Sequence, residues 1–296
     1  MKVLITGATG FVGRHVLYEL NHHGYDILAL NRKKIDFNHV EILLGDLNNI
    51  ELLKPKIIEF QPEAVIHLAW DGIPNYLDSI SMINLYNSIN LFDFLLNNTT
   101  CSKILVSGSC WEYGKKSGAC KESDIVNIDT YFSWAKFSLY QYLLIKCTEK
   151  KVKLNWFRLF YVYGPGQREG SLIPTIIKSI SNNEPLNIKT PKNKNDFIYV
   201  GDIAKAFVKT LNIDLPSGIY NLGTGYSSSV YTICKIVNKY MSGSNNILYA
   251  VLENDQKDVK VNFWADMEKT EQALKINCQT NLVEGLNLYF QSIKKT

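Results

Sequence analysis

Long apolar runs are missing from this sequence of 296 residues. None reaches the roughly 18 consecutive apolar residues that cross a bilayer, so no membrane partner is expected. Paired cysteines are missing too. Cys101, Cys110, Cys120, Cys147, Cys234 and Cys278 are scattered, and no two form a CxxC pair. That excludes a zinc ribbon and a disulfide scaffold, and it fits a reducing cytoplasm. His15, His22, His23 and His39 lack metal-ligand spacing, so no metal site is expected. Basic residues are not gathered into clusters. The formal charge of +4 comes from lysines spread along the chain, which suits a small anionic ligand rather than a nucleic acid. Repeats and low-complexity segments are absent. Met1-Lys2-Val3-Leu4-Ile5-Thr6-Gly7 runs directly into a glycine motif, which leaves no place for a signal peptide and again suggests a cytoplasmic protein.

What is present is the composition of an ordinary globular enzyme, 46% hydrophobic and 20% charged. Residues 2–6 form an apolar run suited to a buried strand, and residues 11–23 repeat apolar side chains at helical spacing. Further strands are expected at 26–30, 40–44, 64–68, 103–107 and 154–159, with helices near 50–60, 80–96 and 131–150. Strands alternating with helices imply an α/β fold, a doubly wound parallel sheet covered on both faces. Past Tyr163-Gly164-Pro165-Gly166 the rhythm loosens into helices near 172–182, 202–211, 230–240 and 281–292. The expected division is a dinucleotide-binding core of residues 1–163 and a smaller C-terminal α/β part of residues 164–296. The second part mainly binds substrate, and some of its segments return to the core.

The glycine motif is Gly7-Ala8-Thr9-Gly10-Phe11-Val12-Gly13, set between the first strand and the first helix. Glycines there permit a tight turn and close approach of backbone to a pyrophosphate, which the free N–H groups of a helix N-terminus receive. The end of the second strand indicates which dinucleotide. An acid there would accept from a ribose 2′-OH and repel a 2′-phosphate. The sequence instead reads Asn31-Arg32-Lys33-Lys34, with no acid before Asp36, so NADP(H) is the expected cofactor. Asp46 and Leu47, after the third strand, stand where an acid usually faces the adenine amine; the alternative reading of Asp46 is a helix cap for the stretch from Asn48.

Later blocks carry a resemblance. They include His67-Leu68-Ala69-Trp70, Asn84 in a central helix, and Ser107-Gly108-Ser109-Cys110-Trp111-Glu112-Tyr113-Gly114. Arg158 to Gln167, Asp196 to Asp202, and Tyr220 to Gly225 are others. From Met1 to about Leu288 the chain resembles the extended short-chain dehydrogenase/reductases, the NAD-dependent epimerase/dehydratase family with its Rossmann-type sheet. Within them it is most similar to nucleotide-sugar 4-ketoreductases. The resemblance implies NADPH-dependent reduction of a 4-keto nucleotide-linked deoxysugar. It implies that Leu68, Ala69, Trp70, Asn84 and Ser107 border the cofactor, and that Ser109 is the hydroxyl on the substrate oxygen. Lys136 would hold the nicotinamide ribose and lower the pKa of a neighbouring phenol. The resemblance also implies a homodimer joined through the helices near 80–96 and 131–150, whose surplus apolar residues are Leu85, Ile89, Phe92, Phe94, Phe137, Tyr140 and Tyr142.

The family spacing is Tyr-x-x-x-Lys, and here Phe132 stands four residues before Lys136. The phenol would protonate the alkoxide as hydride reaches a ketone. Three readings follow. A tyrosine has been replaced, as in a variant made to trap a complex; or the protein uses another acid or has lost the activity; or the register is off by one and Tyr131 serves. Sugar 4,6-dehydratases carry an Asp-Glu pair after the Ser/Thr, and Cys110-Trp111 cannot do that work, so dehydration is disfavoured. Glu112 reads as an ion-paired loop residue.

On the substrate side, Ser109, Cys110, Trp111, Tyr161, Arg168, Ser171 and Leu172 are the expected contacts. Family members often grip the diphosphate with an Arg where this chain has Asn195; Lys189, Lys192 and Lys194 lie nearby. Two other activities stay open: a nucleotide-sugar epimerase, and a non-catalytic NADP(H)-sensing protein.

Overall fold

A computed structural model describes residues 1–34, 37–241, 261–276 and 280–294. Asp36 and Cys278 lie outside the described residues. Strands β1 (Lys2–Thr6), β2 (Asp26–Asn31), β3 (Glu41–Leu44), β4 (Ala64–His67), β5 (Lys103–Ser109), β7 (Lys153–Leu159) and β11 (Gly218–Leu222) form one seven-stranded sheet. Its order is β11-β7-β5-β4-β1-β2-β3, and every pair in it is parallel. This is the doubly wound Rossmann-like sheet. Strand order reverses direction between β1 and β4, and the crevice beyond the carboxyl ends of those strands is where such sheets bind ligands.

The strands are apolar on both faces because both faces are covered. Val3 and Ile5 of β1 meet Val16, Leu17 and Leu20 of α1 (Phe11–His22), with α6 (Val200–Leu211) beside it. Leu4, with Val65 of β4 and Ile104 of β5, faces α2 (Lys54–Phe60), α3 (Asp78–Asn98) and α4 (Tyr131–Lys150), through Ile57, Leu91 and Leu139 among others. Phe92, Phe94 and Tyr140 belong to this core, at 0%, 8% and 8% exposure, so they are not surplus apolar surface. The apolar residues that do face outward on α3 and α4 are Met82, Ile83, Tyr86, Tyr131, Trp134, Leu144 and Ile145.

The stretch expected to be one helix over 50–60 is broken. A 3₁₀ helix spans Leu47–Leu52, Asn49 leaves helical geometry at φ −132° and ψ 67°, and α2 restarts with Pro55 in its first turn. Proline has no N–H to donate and its ring is tolerated only in a first turn, so the helix begins anew there.

After residue 163 the chain does not stay apart from the core. β11 joins the edge of the main sheet against β7, and α6 packs beside α1. β6 (Gly118–Cys120), from the first half, pairs with β13 (Asn262–Ala265) in a four-stranded sheet. That sheet is completed by β9 (Lys194–Asn195) and β12 (Ser228–Ser229). β8 (Tyr161–Tyr163) and β10 (Phe197–Tyr199) form a parallel pair. Helices α5 (Leu172–Ser181), α7 (Val230–Tyr240) and α9 (Leu282–Ile293) share a core of Ile173, Ile176, Ile233, Val237 and Leu286. α8 (Glu268–Leu274) returns Leu274 to the core of the main sheet.

Candidate functional site

At the carboxyl ends of β1, β2 and β4 lies a groove of about 500 Å³. Gly7, Thr9, Gly10, Asn31, Arg32, Asp46, Leu47, Leu68, Ala69, Trp70 and Asn84 all border it. Gly7 has φ 72°, and a Cβ there would lie 2.6 Å from the Ala69 nitrogen. A Cβ on Gly13 would lie 1.9 Å from the Gly7 carbonyl oxygen, so the loop and helix touch through backbone alone. No side chain caps Gly10 at the start of α1. Its first-turn amides therefore face the groove with the positive end of the helix dipole, the arrangement that receives a pyrophosphate. Phe11 and Val12 form the first turn of that helix, where Val12 packs inward. Asn31, at the tip of β2, is 3% exposed, and neither atom of its amide has a partner among the described residues. A buried amide without partners at the groove edge is a ready contact for a ligand.

Arg32 is not free at the groove. Its Nη2 lies 3.2 Å from Asp71 Oδ1 and its Nη1 4.0 Å from Asp46 Oδ2. Asp46 also caps the 3₁₀ helix by accepting from the Asn48 backbone N–H at 2.8 Å, which was the other reading of that residue. Asn84 works on the backbone: its Oδ1 accepts from Asp71 N–H at 2.7 Å, and its Nδ2 donates to the Asp71 carbonyl at 3.1 Å. It holds the loop after β4 against α3. His67 lies beneath, bonded to Thr6 Oγ1 at 2.8 Å and to Ser88 Oγ at 3.1 Å. Burial lowers its pKa to about 3, with the Lys136 charge adding to the effect, so it is a neutral structural residue.

Toward β5 the groove meets a second group. Lys136 on α4 is 3% exposed; it donates to the Ser107 carbonyl at 2.8 Å and sits 4.0 Å above the Trp70 ring. Desolvation lowers its pKa to about 7 despite the raising effect of Glu112. Phe132, one turn earlier on the same helix face, is 7% exposed. Its ring lies 5.1 Å from Tyr76, 5.7 Å from Trp70 and 5.9 Å from Trp111. Tyr131 points elsewhere, 58% exposed, on a surface it shares with Asp78, Met82, Thr130 and Trp134. One residue along a helix turns the side chain by about 100°, and only Phe132 reaches the cluster.

Ser109 ends β5 and opens the short 3₁₀ turn Cys110–Tyr113. Its Oγ accepts from Trp111 N–H at 3.2 Å, and its own N–H donates to Glu112 Oε1 at 2.9 Å. Glu112 is ion-paired, as expected, and it is fully buried in the 3₁₀ turn. Arg158 Nε donates to it at 2.8 Å and Trp156 Nε1 at 3.0 Å. Cys110 is 3% exposed, and burial pushes its thiol well above the ordinary range. It is a packing residue beside Cys120, Phe160 and Phe263.

On the substrate side Tyr161 packs its ring on Phe197 and Phe263, and its phenol is raised by burial, with the Trp111 side chain opposing. Burial raises the pKa of the Tyr76 phenol, with the Arg168 charge opposing; Arg168 itself is exposed. Ser171 and Leu172 start α5, where Leu172 packs inward on the helical core. Asn195 lies within β9, 9% exposed, and its neighbour Asp196 accepts from Thr224, Gly225 and Ala265.

Tyr76 and Asp71 were given no role by sequence reasoning. Both sit in the irregular loop between β4 and α3, where no periodicity shows which way a side chain turns.

Comparison with known proteins places this geometry. The chain is 28% identical over 255 residues to CDP-abequose synthase of Salmonella muenchen, covering 85% of this chain and 84% of that one. It is 27% identical over 254 residues to dTDP-4-dehydro-6-deoxyglucose reductase of Escherichia coli, covering 79% and 80%. Among solved structures, UDP-glucose 4-epimerase of Thermotoga maritima with UDP-glucose superposes with a TM-score of 0.86 at 20% identity, over 100% of this chain and 99% of that one. MoeE5 in complex with UDP-glucuronic acid and NAD does so with 0.84 at 24% identity, over 100% and 99%. These two likenesses are of fold. The model of the NAD dependent epimerase/dehydratase family matches residues 3–223, most of the chain, and the chain belongs to that family.

Proposed function

We propose that this protein reduces a 4-keto nucleotide-linked deoxysugar with NADPH, slowly, because Phe132 occupies the place of the proton-donating tyrosine. The observation that carries the reading is the cluster around Lys136: a buried ammonium on the Trp70 face, one turn from a buried phenyl ring, beside the Ser107–Ser109 strand end. The relatives named as a CDP-abequose synthase and a deoxyglucose reductase supply the substrate class.

The groove residues Gly7, Gly10, Asn31 and Arg32 would hold the dinucleotide, which supplies a hydride when bound. Ser109 Oγ would donate to the ketone oxygen. Lys136 would hold the nicotinamide ribose and put positive charge beside the developing alkoxide. Phe132 fills the volume of a tyrosine and lacks only the hydroxyl, so binding is retained while proton donation, worth about 10²–10⁴ in rate, is lost.

The test is a steady-state assay with a CDP- or dTDP-linked 4-keto-6-deoxyhexose. Phe132→Tyr should raise kcat by about 10²–10⁴, with little change in KM. Adding Lys136→Ala should abolish the gain, and Tyr131→Phe should do little in either background. No gain from Phe132→Tyr, with turnover lost in Tyr131→Phe, would overturn the assignment. An epimerase has the likeness to a putative UDP-glucose 4-epimerase of Methanocaldococcus jannaschii in its favour, 24% identical over 298 residues. It would purify with tightly held oxidised cofactor, whereas the reductase exchanges free NADPH.

A further inference from the structure

We propose that Asp71 sets how strongly this groove selects a 2′-phosphorylated dinucleotide, by competing with the phosphate for Arg32. The inference rests on the NADP(H) reading above and adds to it a residue that opposes the preference.

The argument begins with topology. Arg32 follows β2 and Asp71 follows β4, the two neighbours of β1 in the sheet. Their ion pair, 3.2 Å between Nη2 and Oδ1, therefore stretches across the end of β1, above the glycine loop. Both residues border the same groove as Gly7 and Gly10, so a dinucleotide lying there meets them.

Asp71 is the stronger of the two acids on Arg32. Asp46 reaches it only at 4.0 Å, and Asp46 Oδ1 is already taken by the backbone and side-chain nitrogens of Asn48, at 2.8 and 2.7 Å. Asp71 instead has its backbone held on both sides by Asn84, a buried residue of α3. Its backbone is thus fixed at the groove edge, within side-chain reach of Arg32.

A 2′-phosphate is a doubly charged acceptor that an arginine fork grips in preference to a single carboxylate. Doing so either draws Arg32 away from Asp71 or leaves the phosphate beside its carboxylate, and both oppose binding. A ribose 2′-hydroxyl makes neither demand, so NADH can bind with the ion pair in place. Asp71 thus weakens NADPH binding selectively and narrows the preference that Arg32 creates.

Calorimetric titration of NADPH and NADH into the unmodified chain, Asp71→Asn, Arg32→Ala and the double variant tests this without needing turnover. Asp71→Asn should tighten NADPH by about fivefold, the upper range for release of an exposed ion pair, and leave NADH unchanged. The same substitution should gain less when Arg32 is already alanine. Equal tightening of both cofactors would overturn the proposal and make the pair a general strap over the groove. An unchanged NADPH affinity with the NADPH preference intact would also overturn it, yet leave the NADP(H) reading standing. If the unmodified chain binds both cofactors equally and Arg32→Ala alters neither, the NADP(H) reading falls and this proposal with it.

Discussion

Lys136 is the residue where burial and charge conflict most. Its ordinary pKa of 10.5 falls to about 7 because desolvation disfavours the ammonium. Its folded pKa is thus below its unfolded one. Between those values the unfolded chain binds a proton that the folded chain does not, so the stability this group contributes is present above pH 10.5 and is lost as pH falls through about 7. Lys136→Met, of similar volume, removes that dependence. Urea unfolding of both proteins should show the methionine variant gaining on the unmodified chain as pH falls from 10.5 toward 7, by about 4 to 5 kcal/mol over the window. A constant difference across it would mean that Lys136 titrates near its ordinary value. Lys136 was legible in the sequence from its spacing and the helix around it. Its contact with Trp70 was not, because the two lie 66 residues apart (136 − 70) and meet only when α4 packs against the loop after β4.

At the scale of elements, the turn after β5 is built from the core outward. Glu112 binds the Ser109 backbone, the Trp156 indole and the Arg158 guanidinium, and so ties the end of β5 to the adjacent β7. Glu112→Ala should cost about 3–5 kcal/mol, because Arg158, 1% exposed, keeps its charge without the carboxylate. Thermal unfolding of that variant, with Glu112→Gln beside it, measures the effect. A loss below about 1 kcal/mol would show that Arg158 finds another partner or that water reaches it. Sequence reasoning anticipated the ion pairing but read Glu112 as a loop residue, without the 3₁₀ turn or the burial. A lone acid in a short turn carries no sign of being buried until Arg158 and Trp156 arrive from the next strand of the sheet.

For the whole molecule, the outward apolar residues of α3 and α4 give the dimer expectation its surface. Met82, Ile83, Tyr86, Trp134, Leu144 and Ile145 lie on the two helices that cover one face of the sheet. We expect a symmetric dimer through both, and sedimentation at micromolar concentration should show it. Tyr86→Glu with Ile145→Glu should give monomers that still unfold cooperatively. Monomer from the unmodified chain would remove the proposal. Among the described residues no helix is long and apolar enough to cross a membrane.

Local chemistry alone determined a good deal here. Alternating apolar runs and helical spacings specified the parallel sheet, since strands buried on both faces must be apolar throughout, and the glycine motif specified a tight turn, since only backbone fits where α1 meets the end of β1. The Phe132-x-x-x-Lys136 spacing brought two side chains to one helix face by the pitch of the helix. Only tertiary structure decided what surrounds them. That Phe132 sits among Tyr76, Trp70 and Trp111, that Arg32 is drawn to Asp71, and that β11 crosses back to the main sheet all depend on segments distant in sequence. Such meetings come from packing two helix layers on a twisted sheet, and no window of neighbouring residues contains the partners.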